Sequence, residues 1–323
     1  MTRHPSPPAF DPGFTEQYRT GLTRVINPDG QFNVHRRGTN WHDVNPYLYM
    51  LNSRWPVFLG LILAGYLVTN LIFAFIYYYG VGIDHLRGSD AATPFARFLN
   101  GFFFSAHTIT TVGYGNISPD GILANSIASL EALLGLLAFA LATGLVFGRF
   151  SRPAARIAFS QHMVVAPYQG GTALEFRIAN RRSKNNLMEL EARVLMMTVE
   201  RTDGGPARKY VPLELERARV QFLPLAWTIV HPITESSPVW GKTAQDIARL
   251  EAEFLILIKA FDDTFFQTVH SRFSYRHEEV RWGARFAPTF ELDEHGHMVL
   301  DLARLSELLP AGPPDAAPAL TSG

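Results

Sequence analysis

The sequence contains no cysteine. That excludes a disulfide framework, a thiolate metal centre and a cysteine nucleophile. It also lacks an excess of either charge, because 29 lysines and arginines balance 29 aspartates and glutamates. Such a balance gives no general argument for nucleic acid as a partner. No nucleophile–base constellation or metal cluster stands out by spacing, so neither an enzyme nor a resident cofactor is expected. The absence of charge is also local. Trp55 to Tyr79 carries no charged residue, and Ile122 to Gly148 carries one, Glu131.

Those two runs are long enough to span a bilayer. A helix over the first would reach about 37 Å, more than a hydrocarbon core of about 30 Å. Trp55, Tyr77, Tyr78 and Tyr79 crowd its ends, as at lipid headgroup level. Two buried helices of a large soluble protein are the competing reading, but uncharged runs of this length are rare in soluble cores. The first run starts too far into the chain for a secretory signal. Arg36, Arg37 and Arg54 precede the first run, and Arg149, Arg152 and Arg156 follow the second. Between them, Arg87 and Arg97 are offset by Asp84, Asp90 and Asp120. Basic flanks place both termini in the cytoplasm of a multi-pass protein. The three trailing arginines have a topological reading, as stop-transfer charges, and a second reading given below.

The expected order is a disordered tail over 1–25, then an N-terminal strand and amphipathic helix over 26–53. "INPDGQFNV" reads as a turn at Asn27–Gly30 before a short strand. Asn45 is a candidate N-cap with Pro46 behind it, and Trp41, Val44, Leu48 and Leu51 share a face suited to a membrane interface. A pore domain over 54–152 follows, with helices over 54–80, 95–108 and 121–150. After Pro153, alternating segments such as "TALEFRIA", "ARVLMMTVE", "RVQFLPLAWTIVH", "EFLILIKAF" and "EVRWGARF" predict a β-sandwich over 153–309. A disordered tail over 310–323 ends the chain.

Phe95 to His107 is apolar with a helical period, but too short to span. It leads into "TTVGYG", Thr110 to Gly115. A half-length helix, a glycine-containing loop and then a full span form a re-entrant pattern, allowed at membrane depth only where the backbone lines a cavity or is buried in protein. Gly113 and Gly115 permit backbone angles that turn successive carbonyls one way. Four copies of Thr111, Val112, Gly113 and Tyr114 would ring an axis with oxygens that replace the water shell of K+. One chain cannot build this, so a homotetramer is expected.

This motif resembles the signature of potassium channels, and the two-span layout resembles the inward-rectifier family in its bacterial branch. "DGQFNV", "SRWPVF", "GLVFGRFSRP", "TIVHPITESSPVWG" and "VRWGARF" extend the resemblance over about Ile26 to Leu308. It implies an α-helical membrane pore with a cytoplasmic immunoglobulin-like sandwich, in the bacterial inner membrane. It implies a filter at Thr111–Gly115 supported by Thr110, His107 and Glu131, with permeant K+ and no cofactor. Gly135 matches an inner-helix hinge, Phe139 the rectification position and Phe147 the gate. Arg149, Arg152 and Arg156 match a contact with anionic lipid, phosphoinositide included. Mg2+ or polyamines are the implied pore blockers. Three departures stand out: His107 replaces an acidic or amide residue behind the filter, Ile117 an arginine, and Phe139 the aspartate or asparagine of strong rectifiers.

Two readings of His107 and Glu131 are open. Either they pair behind the filter, or His107 meets a backbone carbonyl while Glu131 meets another subunit or a water. Two functional alternatives are open as well, a channel of this architecture with little rectification and a ligand-sensing receptor with the spans as anchors. A Rossmann-regulated channel lacks its G-x-G-x-x-G, and a voltage-gated one its extra spans. "WGKT" at Trp240–Thr243 has Ser236 where a phosphate loop needs glycine. His295–His297 reads as a hairpin tip, and Asp84–His85 as a solvated pair in the outer loop.

Overall fold

The computed structural model describes residues 24–34, 45–153, 155–182, 187–202 and 205–311, with Gly13 and Gly38. Of the predicted tail over 1–25, Arg24 and Val25 are described, whereas residues 1–12 and 14–23 lie outside the described residues. So do residues 312–323, and Trp41 and Val44 of the interfacial face. The chain divides into two units, one of Arg36–Arg152 and one of Met1–His35 with Pro153–Gly323.

In the first unit α1, Pro46–Asn52, starts at Asn45, whose side chain accepts the Leu48 amide. The next helix, α2, is Trp55–Phe75 and continues as a wide π turn over Ile76–Gly82. The sequence predicts one uniform helix over 54–80. A wide turn rotates the side chains that follow it, and here Tyr77 and Val81 point inward. A short strand β1, Leu86–Arg87, precedes α3, Pro94–Ile109, which is capped by the Thr93 hydroxyl. Strand β2, Ser118–Pro119, then leads into the unbroken α4, Gly121–Phe150. β1 and β2 pair antiparallel and close the loop around α3. Arg87 meets Asp120 at 2.9 Å, and Arg97 pairs with Asp84. Asp84 is therefore tied to α3 rather than paired with His85.

Two helical stretches, of 31 and 30 residues, are long and apolar enough to cross a membrane. Only 17% and 11% of their apolar windows are buried within the chain. A core helix of a soluble protein would bury most of its surface, so these faces are built for a membrane.

The second unit holds β3 (Ile157–Phe159), β4 (Met163–Tyr168), β5 (Gly171–Asn180), β6 (Leu187–Thr202), β7 (Gly205–Pro212), β8 (Arg219–Phe222) and β9 (Ala226–Pro232). After α5 (Ala244–Arg249) come β10 (Glu253–Asp262), β11 (Gln267–Arg276), β12 (Val280–Trp282) and β13 (Ala284–Phe286). One sheet runs β11-β10-β6-β7 with β8 also on β6, and the other runs β12-β4-β5-β3 with β9 also on β5. Phe176 and Ile178 of β5 share a core with Val194 and Met196 of β6 and with Phe254 and Ile256 of β10. This is sandwich packing, with each strand's alternate residues turned inward.

Two segments read as single strands are each broken. "RVQFLPLAWTIVH" splits into β8 and β9, which belong to different sheets. Pro224 lies in the break and has no amide for a ladder. "EVRWGARF" splits at Gly283, whose φ is +69°. The chain closes with a hairpin of β14 (Phe290–Leu292) and β15 (Met298–Leu300), and then β16 (Leu308–Pro310), which pairs with β13. At the hairpin tip Asp293 accepts the amides of His295 and His297 and meets the His297 ring at 3.1 Å. "WGKT" ends in a capping box, in which Thr243 and Asp246 exchange hydrogen bonds at the start of α5.

The N-terminal strap, residues 24–34, belongs with the sandwich, whereas the sequence reading put Arg24 and Val25 in a disordered tail and 26–34 with the interfacial helix. The buried Glu253 carboxylate accepts the Val25 amide at 3.0 Å and the Ile26 amide at 3.4 Å. Arg24 reaches Ser274 Oγ at 3.0 Å and Glu279 at 3.2 Å. Val25 and Ile26 pack on Met197, Tyr210 and Leu255. Charge-assisted bonds to a buried carboxylate, together with apolar burial, fix the strap in place.

His231 of β9 is buried in a closed relay. Its Nδ1–H donates to the Glu214 carbonyl at 2.5 Å, and its Nε2 accepts from Ser237 Oγ at 2.8 Å. Ser237 Oγ in turn accepts the Val239 amide at 3.1 Å. Burial holds the His231 pKa below the usual imidazole value, and the Glu214 carbonyl pulls the other way. The folded state therefore binds this proton less readily than the unfolded chain. The stabilisation is complete above the ordinary value of about 6.5 and is lost as pH falls below it. Thermal melts of the whole protein in detergent should drop between about pH 7 and pH 5, and His231→Gln should flatten part of that slope. Identical slopes would show that another group sets it.

Candidate functional site

The loop after α3 folds back onto the end of that helix. The His107 carbonyl accepts the amides of Val112 at 3.0 Å and Gly113 at 3.1 Å, and the Thr108 carbonyl accepts the Thr111 amide at 3.0 Å. The Thr110 hydroxyl closes on the Ala106 carbonyl at 2.6 Å. These bonds satisfy the orphan carbonyls of the helix end and fix where the loop starts.

The loop's backbone alternates in hand. Thr111, Gly113 and Gly115 have φ of 61°, 56° and 78°, and neither Val112 nor Tyr114 is among the positive-φ residues. Glycine adopts this region freely, whereas a β-branched threonine does so only under constraint. An extended strand sends successive carbonyls to opposite sides. Alternation of hand brings them to the same side, which is the geometry a dehydrated cation needs. The Val112 and Tyr114 side chains are exposed. Gly88, across the loop, is required by contact, since a Cβ there would lie 2.1 Å from the Asn116 carbonyl oxygen.

His107 and Glu131 do not pair. The His107 ring stands edge-on to Tyr114, with centroids 4.7 Å apart. Glu131 is fully buried and is held by the Tyr77 hydroxyl at 2.7 Å and by Ser105. Ser105 also contacts Asn70 at 2.9 Å. The sequence reading missed Tyr77, Ser105 and Asn70. Their signal was a hydroxyl or amide at a helical position inside an apolar run, where a polar group needs a partner. Ile117, where the resemblance expects an arginine, is buried with Phe104 and Tyr77.

Gly135 sits under the end of α3. A Cβ there would lie 2.2 Å from the Ile109 carbonyl oxygen, and α4 is unbroken at this residue. Its requirement in this structure is close approach. Phe139 and Phe147 are both exposed on α4.

The three arginines differ from one another. The Arg149 guanidinium caps the end of α1. It donates to the carbonyls of Met50 at 2.5 Å, Leu51 at 3.2 Å and Ser53 at 2.7 Å. It also lies over the Trp55 and Phe58 rings, at 4.6 and 4.5 Å from their centroids. A cation at a helix C-terminus over aromatic faces is well placed and gains several contacts at once. Arg152 is exposed and reaches Asn52 at 2.5 Å, and Arg156 is exposed in the other unit.

Among the described residues no group of three or more histidines, cysteines or carboxylates is placed to hold a metal.

Comparison with known proteins bears on the whole chain. Residues 157–317 match the model described as inward rectifier potassium channel C-terminal domain, and residues 60–152 match the one described as ion channel. Inward rectifier potassium channel Kirbac3.1 of Paramagnetospirillum magnetotacticum is 36% identical over 313 residues, covering 95% of this chain and 99% of its own length. G protein-activated inward rectifier potassium channel 3 of Mus musculus is 30% identical over 327 residues, covering 93% and 81%. G protein-activated inward rectifier potassium channel 2 of Homo sapiens is 27% identical over 300 residues, covering 84% and 69%. Among solved structures, the sporulation control protein Spo0M of Bacillus subtilis is 10% identical over 40% of this chain and 50% of its own, with a TM-score of 0.23, too low to carry an argument. The 36% identity to the bacterial relative over 95% of this chain, together with the match over residues 157–317, shows that this chain belongs to the inward rectifier potassium channel family and is a membrane ion channel, not an enzyme.

Proposed function

We propose that four copies of this chain assemble around an axis and conduct K+ through carbonyl rings at Thr111, Val112, Gly113, Tyr114 and Gly115. The observation that carries this reading is the alternating hand at Thr111, Gly113 and Gly115. In the proposed channel His107 and Thr110 hold the start of the filter by their contacts with the loop and with α3. Gly135 keeps the inner helix close to the pore helix. Phe147 narrows the inner end of the pore, which lies in a bacterial inner membrane with both termini cytoplasmic. Arg152 and Arg156 each meet anionic headgroups, phosphoinositides among them, contributing on the order of 1 kcal/mol apiece.

The experiment is cation flux through the purified protein in liposomes of varied lipid. K+ and Rb+ should pass far better than Na+, because the carbonyl rings match the hydration shell of the larger ions. Ba2+ should block. Phosphoinositide should change the flux, and that response should weaken in Arg152→Ala and Arg156→Ala. Equal Na+ and K+ flux would overturn the filter reading, and no flux at all would favour a receptor anchored by its spans.

Rectification follows from Phe139. An exposed phenyl ring offers no charge to hold Mg2+ or a polyamine, so block by either should be weak. Phe139→Asp would place four carboxylates around the axis and should strengthen spermine block by tenfold or more, a gain of about 1.4 kcal/mol. Unchanged spermine sensitivity would mean that this position does not face the pore.

A further inference from the structure

Four polar side chains lie behind the filter loop without touching it. Asn70, Tyr77, Ser105 and Glu131 are each 0% exposed. They come from α2, its wide turn, α3 and α4, so every helix that frames the pore loop contributes at least one. Tyr77 Oη contacts Glu131 Oε2 at 2.7 Å. Ser105 Oγ contacts Glu131 Oε1 and also Asn70 Oδ1, the latter at 2.9 Å. The Asn70 amide nitrogen donates to the Tyr66 carbonyl at 2.7 Å. That bond fixes the amide's orientation, because turning it over would set its oxygen against the Tyr66 oxygen.

The protons in this cluster can be counted. Three contacts join the four groups, and each needs one proton. Tyr77 supplies one, which goes to Oε2. Ser105 supplies one, and it has two neighbours. Asn70 Oδ1 only accepts, so the Ser105 proton goes there. The remaining contact, Ser105 Oγ to Glu131 Oε1, then needs a proton from the carboxyl. We infer that Glu131 is held as a neutral carboxylic acid that donates to Ser105, and that it positions the pore helix, and through it the filter, by uncharged hydrogen bonds.

The surroundings agree with this assignment. The two partners of the carboxyl, Tyr77 and Ser105, are neutral, and an unpaired charge within the span would be costly. A satisfied neutral network instead gives fixed geometry. Ser105 is two residues before His107, whose carbonyl takes the Val112 and Gly113 amides. A shift of α3 at Ser105 is therefore passed directly to the loop. Glu131 acts through α3 and is a positioning residue, adding no field that draws cations into the pore.

The test uses the full-length channel in liposomes and compares Glu131→Gln with Glu131→Ala. A glutamine amide can donate to Ser105 and accept from Tyr77, so it replaces a neutral acid but not a carboxylate. The wild type should show the infrared carbonyl stretch of a protonated carboxyl, absent from Glu131→Gln. Glu131→Gln should keep the K+ to Na+ flux ratio within about twofold of wild type, and Glu131→Ala should lower it by about tenfold or more, since buried partners are left unsatisfied. The inference is overturned if no such band is lost, if the glutamine variant loses selectivity as the alanine variant does, or if it does not assemble. The flux arm rests on the filter reading of Thr111–Gly115. The infrared arm does not, and wild-type flux measured alongside tells a failure of one from a failure of the other.

Discussion

Replacing Gly113 by alanine should abolish K+ flux while leaving the assembled protein intact. The residue has φ +56°, and an ideal Cβ there meets nothing within 4 Å of its own chain. The obstacle is therefore conformational rather than steric within the subunit. An L-residue in the left-handed region costs about 1–2 kcal/mol, or about 4–8 kcal/mol over four subunits around one axis. The loop already carries one such residue in Thr111 at φ 61°. Its strain is held by the bonds of the helix end, to which the Gly113 amide already contributes, and a second strained residue would load those same bonds. The peptide at position 113 should relax by turning, which takes one ring of oxygens off the axis. Flux measured on Gly113→Ala in liposomes checks this, with gel filtration as the control for assembly. D-alanine at the same position accepts positive φ and should restore conduction if the argument from handedness is right. Normal K+ selectivity in the L-alanine variant would remove the loop from the conduction path.

The second large effect is expected at Gly135. A methyl there would sit 2.2 Å from the Ile109 carbonyl oxygen and 2.9 Å from its carbon. These are backbone atoms at the end of α3, with no flexible side chain to give way. Relief requires the two helices to separate by on the order of 1 Å, at about 1–3 kcal/mol per subunit for overpacking. The separation would fall next to the carbonyls that fix the filter loop. Gly135→Ala should therefore lower the melting temperature of the assembled channel and lose K+ over Na+ selectivity together. Gly144, on the same helix, has no atom within 4 Å of its added Cβ, so Gly144→Ala serves as the control and should melt as the wild type does. If Gly135→Ala melts unchanged and only its opening is altered, the residue acts as a hinge rather than a contact.

Much of the architecture could be read locally. Charge-free length defines a span without reference to anything distant, because the bilayer sets the requirement. That is why Gly121–Phe150 falls where the expectation over 121–150 put it, and why α3 differs from 95–108 by one residue at each end. The alternation of "TALEFRIA" became β5, Gly171–Asn180, because a two-residue period is also local. The backbone of the loop after α3 was legible for a similar reason, since two glycines two residues apart state a backbone requirement in themselves, and both have positive φ. The breaks at Pro224 and Gly283 were in the sequence too, but alternation on either side outweighed them in the reading.

What tertiary structure alone decided was the pairing of distant groups. Glu131 finds Ser105 at a separation of 26 residues and Tyr77 at 54, and the rotation of each helix about its own axis chose them over His107. Rotation depends on packing and, at Tyr77, on the wide turn that follows α2, neither of which a one-dimensional spacing records. Arg149 was read as a lipid contact because of the family resemblance. Its actual ligands are the carbonyls of α1, nearly a hundred residues earlier in the chain. The strap joined the sandwich through Glu253, more than 220 residues away. Elements whose period or length answers to the solvent could be read from the sequence, whereas contacts that answer to another element became visible only once both were folded.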